Sequence, residues 1–139
     1  MKINPYVSFK GDCEAAFNFY ERSLGGRLGP LFRYAGSPMA DQVPPDWQDK
    51  VMHGSVIVGE LQLMGADVMP LGYVEPKGFS LSLQMDNPAE AERIFDALSK
   101  DGSITLPLEK TFWAERFGMV VDRFGIPWLI NCEQPKPGS

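Results

Sequence analysis

Sliding the chain over itself by 76 residues lays Glu14 on Glu90, Ala15 on Ala91, Phe19 on Phe95, Ser23 on Ser99 and Gly26 on Gly102. Val7 then faces Leu83 and Leu28 faces Ile104. Identities this sparse carry weight because the order of elements around them also repeats, which is the signature of an internal duplication. A duplicated chain of 139 residues must build two copies of one small motif, so the fold reduces to the shape of that motif.

In the first copy YVSF (6–9) alternates as a strand and meets a segment in which Cys13, Ala16, Phe17, Tyr20 and Leu24 recur at helical spacing. Asp12 is the expected N-cap, and Gly25-Gly26 ends the helix. LGPLFRY (28–34) reads as one strand, and the prolines of SPMADQVPPDW (37–47) mark a surface loop. MHGSVIVG and ELQLMGAD follow as a hairpin turning at Gly59-Glu60. That turn sets Val58 opposite Leu61, Ile57 opposite Gln62, Val56 opposite Leu63 and Ser55 opposite Met64.

The second copy runs FSLSLQM (79–85), a capping box at NPAE (87–90), a helical stripe of Ala91, Ile94, Phe95 and Leu98 ending near Asp101-Gly102, then SITLPLE, FGMVVD and PWLINCE as strands. The expected fold is α+β: two tandem βαβββ modules whose mixed sheets form a cup, with the helices outside. Each helix has one apolar stripe to hide and covers one sheet face, leaving the other to enclose something. One domain over 1–135 is expected, with module one at 1–67, a linker at 68–77, module two at 78–135 and a loose tail at 136–139.

A net charge of −5 without a Lys/Arg cluster argues against nucleic acid. No apolar run approaches the roughly 20 residues that span a membrane, and no charged-then-apolar leader is visible. With two cysteines, Cys13 and Cys132, the chain reads as a reduced, cytoplasmic protein. Cys13 falls in the first helical turn, where the dipole lowers a thiol pKa, but its place on the apolar stripe reads as a buried, inert thiol, as does that of Cys132.

PYVSFKGDCEAAFNFYERSLGG, MHGSVIVGELQLMGAD and above all TFWAERFGMVVDRFGIPWLIN resemble the PhnB-like branch of the vicinal oxygen chelate superfamily, which includes glyoxalases, bleomycin-resistance proteins and extradiol dioxygenases. The resemblance covers nearly the whole chain and implies the tandem-module fold and a homodimer. It also implies four inward positions that hold a divalent metal in other members. Here these are Pro5, Gln62, Phe79 or Leu81, and Leu129, of which Gln62 alone offers an oxygen, too few for a metal that needs three or four N, O or S ligands. A 3-demethylubiquinone methyltransferase label attached to some members finds no glycine-rich strand-to-helix turn here to cradle an adenosyl cofactor.

By strand parity His53, Ser55, Ile57, Gln62 and Met64 share the inner face of the cup, and Val56, Val58, Leu61 and Leu63 lie under the helix. His53, the sole histidine, is suited to proton transfer, or else is an edge-strand side chain bonded to water or a carbonyl. Phe112, Trp113, Glu115 and Arg116 are expected in a loop, where Trp113 and Arg116 hold a planar or anionic ligand, or where Trp113 lids the core and Arg116 pairs with Glu115 or another carboxylate. Leu129 and Asn131 face inward and Trp128 packs. Tyr6 and Tyr34 offer hydroxyls with nothing in the sequence to separate them from packing residues. The reading that emerges is a metal-free small-molecule binding protein with a pocket of His53, Gln62, Met64, Phe112, Trp113, Arg116, Leu129 and Asn131. The alternative is a metal-dependent lyase, isomerase or dioxygenase with relocated ligands such as His53, Glu60 and Glu115.

Overall fold

The computed structural model describes residues 1–135; the expected tail at 136–139 lies outside the described residues. The chain divides into two compact units, Met1–Val74 and Glu75–Ser139, and the division falls inside the segment read as a linker.

Unit one orders β1 (Tyr6–Phe9), α1 (Cys13–Leu24), β2 (Arg27–Leu28), β3 (Phe32–Arg33), β4 (Val51–Val58) and β5 (Leu61–Asp67). Its sheet runs β1-β5-β4-β2, with β3 also paired to β4; β1 is parallel to β5 and the other pairs are antiparallel. The β4–β5 register is the expected one, Val58 opposite Leu61 through Ser55 opposite Met64. The single strand expected over 28–34 is instead two short ones. Pro30 has no N–H to give a ladder, and Gly29 passes so close to β4 that a Cβ would lie 2.4 Å from Ser55 Oγ. Two single turns of 3₁₀ helix, Ala40–Gln42 and Pro45–Trp47, organise the proline-rich segment.

Helix α1 buries Cys13, Ala16, Phe17 and Tyr20 against the face formed by Val7, Phe9, Val56 and Leu63. Gly25, at φ 71°, closes it in the left-handed conformation that glycine adopts without strain. Its N-terminus departs from expectation, because Asp12 makes no side-chain capping bond. The buried Asp67 at the end of β5 serves instead, its Oδ1 accepting the N–H groups of Gly11 and Cys13 at 3.0 and 2.9 Å and its Oδ2 that of Val51 at 2.9 Å. A carboxylate at a helix N-terminus meets both the orphan donors and the dipole there.

Unit two orders β6 (Leu81–Met85), α2 (Pro88–Ser99), β7 (Ser103–Glu109), β8 (Ala114–Val121) and β9 (Pro127–Glu133). Its sheet runs β6-β9-β8-β7, again with a parallel first pair and antiparallel others. The capping box expectation holds at the cap itself: Asn87 Oδ1 accepts the N–H groups of Ala89 and Glu90, and Pro88 opens the helix. Ala91, Ile94, Phe95 and Leu98 are buried, facing Val120, Trp128, Ile130 and Cys132. Trp128 is a packing residue, as read, and its indole donates to Asp122 Oδ2 at 2.8 Å.

Candidate functional site

Each sheet has one face under a helix and one face without, and the candidate groups are sorted by which they occupy. In unit one the face away from α1 carries Tyr6, His53, Ser55, Gln62 and Met64, as pairing of Tyr6 with Met64 and of Met64 with Ser55 requires. Tyr6 Oη lies 3.2 Å from His53 Nδ1, and the two rings are inclined by 28° with centroids 5.7 Å apart. On the other side Phe32, opposite His53 across the β3–β4 pair, stacks at 6.3 Å and 30°. Tyr6 and Phe32 are each about half exposed, at 52% and 54%. Burial of the rest of the Tyr6 ring pushes its hydroxyl pKa up, with smaller contributions from Cys13 and Tyr34, so the phenol keeps its proton at neutral pH. Gln62 is exposed and Met64 partly so.

In unit two the face away from α2 carries Ser82, Gln84, Phe117, Met119, Leu129 and Asn131. Asn131 Nδ2 donates to Gln84 Oε1 at 2.7 Å and Gln84 Nε2 donates to Ser82 Oγ at 2.5 Å. Asn131 Oδ1 is buried with no hydrogen-bond partner. Phe117 is the cross-strand neighbour of Asn131, and Trp113 meets Phe117 edge-on at 5.3 Å. Phe112, 89% exposed, packs edge-on against Trp113 at 4.8 Å.

Two expectations change here. Glu115 and Arg116 belong to β8 and not to a loop. Arg116 stands opposite Cys132 on the α2 side, its Nε bonded to Glu92 Oε1 at 3.1 Å and its guanidinium also held by the Glu115 carbonyl at 2.8 Å. It is therefore engaged by a helix carboxylate on the opposite face from Leu129 and Asn131. Within unit one, the structure groups His53, Gln62 and Met64; within unit two, it groups Leu129 and Asn131 with Phe117 and Trp113. The sequence reading missed Phe32, Gln84 and Phe117 and left Tyr6 undecided. The strict alternation of Ser82 and Gln84 with apolar neighbours was the available signal for Gln84.

Of the positions that the superfamily resemblance points to, Pro5 and Leu81 lie off the faces that carry Gln62 and Leu129. Tyr6, not Pro5, shares a face with Gln62, and Ser82, not Leu81, shares one with Leu129, because Leu81 pairs with the buried Trp128. Neither face fits a divalent transition metal: Tyr6 and Gln62 in unit one offer two neutral oxygens, and in unit two Ser82 offers one and Leu129 none. Glu60 sits in the β4–β5 turn, roughly 15 Å or more along the strand from His53 at about 3.3 Å per residue. Glu115 is held by Lys110 and Arg116. Among the described residues no three His, Cys, Asp or Glu side chains come together as a metal site.

Both thiols are buried. Burial, then the charges of Asp67, Asp12 and Glu14, pushes Cys13 far above the ordinary thiol range, and burial followed by Glu115 raises Cys132. A charged recess of about 350 Å³ beside Glu14, Arg33, Asp49 and Lys50 has its cations engaged, Arg33 by Glu14 and Lys50 by the Gly11 carbonyl at 2.8 Å. No helix among the described residues is long and apolar enough to cross a membrane.

Comparison with known proteins matches residues 1–131 to the family described as 3-demethylubiquinone-9 3-methyltransferase. The Escherichia coli protein YjdN is 34% identical over 145 residues, covering 99% of each chain. The crystal structure of PA1353 from Pseudomonas aeruginosa is 46% identical, with a TM-score of 0.87 over 97% of this chain and 99% of that one. The PhnB protein of Bacillus cereus shares the fold at 24% identity and a TM-score of 0.81, covering 95% and 99% of the two chains. A glyoxalase/bleomycin resistance protein/dioxygenase domain from Frankia shares it at 13% identity and a TM-score of 0.67, covering 96% and 98%. The α+β architecture is thus of the glyoxalase type.

Proposed function

We propose, from the premise that this chain belongs to the PhnB-like family described as 3-demethylubiquinone-9 3-methyltransferase, that it binds a small aromatic or oxygen-rich molecule on its helix-free sheet faces without the superfamily metal. The observation that carries this reading is the content of those faces. They present partly exposed rings beside polar groups, Tyr6, Phe32 and His53 in unit one and Trp113, Phe117 and Asn131, whose Oδ1 has no partner, in unit two. Apolar walls with a few convergent polar groups are what ligand sites are built from. Of the expected pocket residues His53, Gln62, Met64, Leu129 and Asn131 stay in the proposal, with Phe112 and Trp113 at its edge; Arg116 acts indirectly, by tying β8 to α2.

The methyltransferase description of the family is not adopted as the activity. Neither strand-to-helix connection is a glycine-rich turn after a parallel strand of a doubly wound sheet, the arrangement that cradles a nucleotide cofactor. In this reading the protein is a cytoplasmic homodimer, the dimer following the habit of the superfamily; light scattering checks it. The decisive experiment pairs elemental analysis of untagged protein with a fragment screen read by amide chemical shifts. Binding at the two named faces with no stoichiometric metal is expected. Stoichiometric zinc, manganese, nickel or iron, or a screen in which no compound perturbs either face, overturns the proposal.

A further inference from the structure

The chain has one histidine, and the fold places it between two half-exposed rings. Tyr6 reaches it from β1 and Phe32 from β3, so its position depends on both the parallel β1–β5 pairing and the break at Gly29-Pro30. A phenol is a better donor than acceptor, and an unprotonated imidazole nitrogen is the better acceptor of the two groups. The 3.2 Å contact is therefore Tyr6 Oη–H donating to His53 Nδ1, which leaves the imidazole proton on Nε2. Arg33, next to Phe32, is turned to Glu14 and to the Asp49 carbonyl at 2.7 Å and supplies no charge to this face. Ser55, Gln62 and Met64 on this face are uncharged, and the exposed Arg27, paired with Ile57 beside Gln62, is the cation at its far end.

Resting on the reading that this face binds a ligand, we infer that Tyr6 holds His53 as an Nε2–H donor between two aromatic surfaces, and that the site selects a planar aromatic carrying a carboxylate or carbonyl oxygen. The flat part lies against the exposed portions of Tyr6 and Phe32, and the oxygen accepts from Nε2–H. Tyr6 is a positioning residue here, and His53 the one that touches the ligand.

A single histidine makes the first half of the inference directly readable. Long-range ¹H–¹⁵N correlation spectra of the wild-type protein at alkaline pH give one pair of imidazole nitrogens, expected as a protonated Nε2 and a bare Nδ1. Tyr6→Phe is expected to relax this to a mixture of tautomers while leaving the ring packing in place. A protonated Nδ1, or a tautomer indifferent to Tyr6→Phe, overturns the inference and leaves the binding proposal standing. The second half is tested with sodium benzoate and, as the like-shaped cation, benzylamine. Benzoate is expected to shift the His53 nitrogens and to lose at least tenfold in affinity in His53→Phe, while benzylamine does neither. Benzoate that perturbs other residues but not His53, or benzylamine that binds equally well, refutes the selection of an oxygen acceptor. Failure of every aromatic compound to bind instead refutes the proposed function.

Discussion

The two modules use the same ladder for opposite purposes on their two faces. On the helix side they match: α1 sets Phe17 against Gly65 and Gly54, and α2 sets Phe95 against Gly118. A glycine in the sheet lets the helix approach until its aromatic ring touches backbone. On the helix-free side they part. When Tyr6 is superposed on Ser82 and Met64 on Leu129, the pairings put His53 on Phe117, Ser8 on Gln84 and Ala66 on Asn131. Module one thus offers an imidazole between rings, and module two an amide chain beside rings. The helix faces are fixed by what the fold needs to be stable, whereas the free faces are open to divergence because their own module's helix does not pack on them. If that division is correct, substitutions should be costly on one face and cheap on the other in both modules.

The largest effects belong to the helix-side glycines. A Cβ at Gly65 would lie 2.7 Å from the Val7 carbonyl oxygen, and one at Gly118 would lie 2.9 Å from Leu108 Cα, both backbone atoms that cannot give. Gly65→Leu and Gly118→Leu should each cost about 3 kcal/mol or more in urea denaturation. Met119→Leu, on the free face of module two, should cost less than about 1.5 kcal/mol. Tolerance of leucine at either glycine would show that the helix faces are not equivalent after all.

Next come the buried carboxylates, one per module. Asp67 accepts three backbone N–H groups, and Asp122 accepts those of Phe124 and Ile126 together with the Trp128 indole. Removing either leaves buried donors unmet, so Asp67→Ala and Asp122→Ala should each destabilise by about 3 kcal/mol. Asp67→Asn should recover about half of that, since one amide oxygen can keep the Gly11 and Cys13 bonds while the contact to Val51 is lost. A smaller effect comes from Asn131→Leu. The change removes a buried Oδ1 without a partner but also the Nδ2 bond to the exposed Gln84, so stability should move by no more than about 1 kcal/mol in thermal melts, while any ligand contact that uses the amide is abolished.

What the sequence disclosed follows the same division. The β4–β5 register was readable because a two-residue turn at Gly59-Glu60 fixes every pair behind it, and the α2 cap was readable because Asn87 and its donors are neighbours. The α1 cap was not, because Asp67 lies 54 residues from Cys13 and only the parallel β1–β5 pairing brings it there. Tyr6 went undecided for the same reason: its partner His53 is 47 residues away on a strand that is not its immediate neighbour. Arg116 was misplaced because an irregularity between Ala114 and Arg116 extends β8 through what reads as a loop and aims the guanidinium at α2. Local chemistry was legible, and contacts created by strand order were not.

The smallest predicted effect concerns that same link between sheet and helix, which both modules make. Arg33 of β3 pairs with Glu14 of α1 through two bonds at 3.1 and 2.9 Å, as Arg116 of β8 pairs with Glu92 of α2. The Arg33 hydrogen bond holds the Glu14 carboxyl below its ordinary pKa, against a partly opposing desolvation. A lowered folded-state value means that the pair stabilises above the unfolded carboxylate pKa and that this contribution fades as pH falls through the folded one. Both side chains are well exposed, at 39% and 45%, so water and salt screen most of the attraction. Glu14→Gln should therefore cost no more than about 0.5 kcal/mol at neutral pH and low salt. Wild type and variant should converge in stability below the carboxylate range and again in high salt. A difference that survived acid or salt would mean that Glu14 contributes through packing on α1 instead of through its charge, and that α1 is held to its sheet by something other than this ion pair.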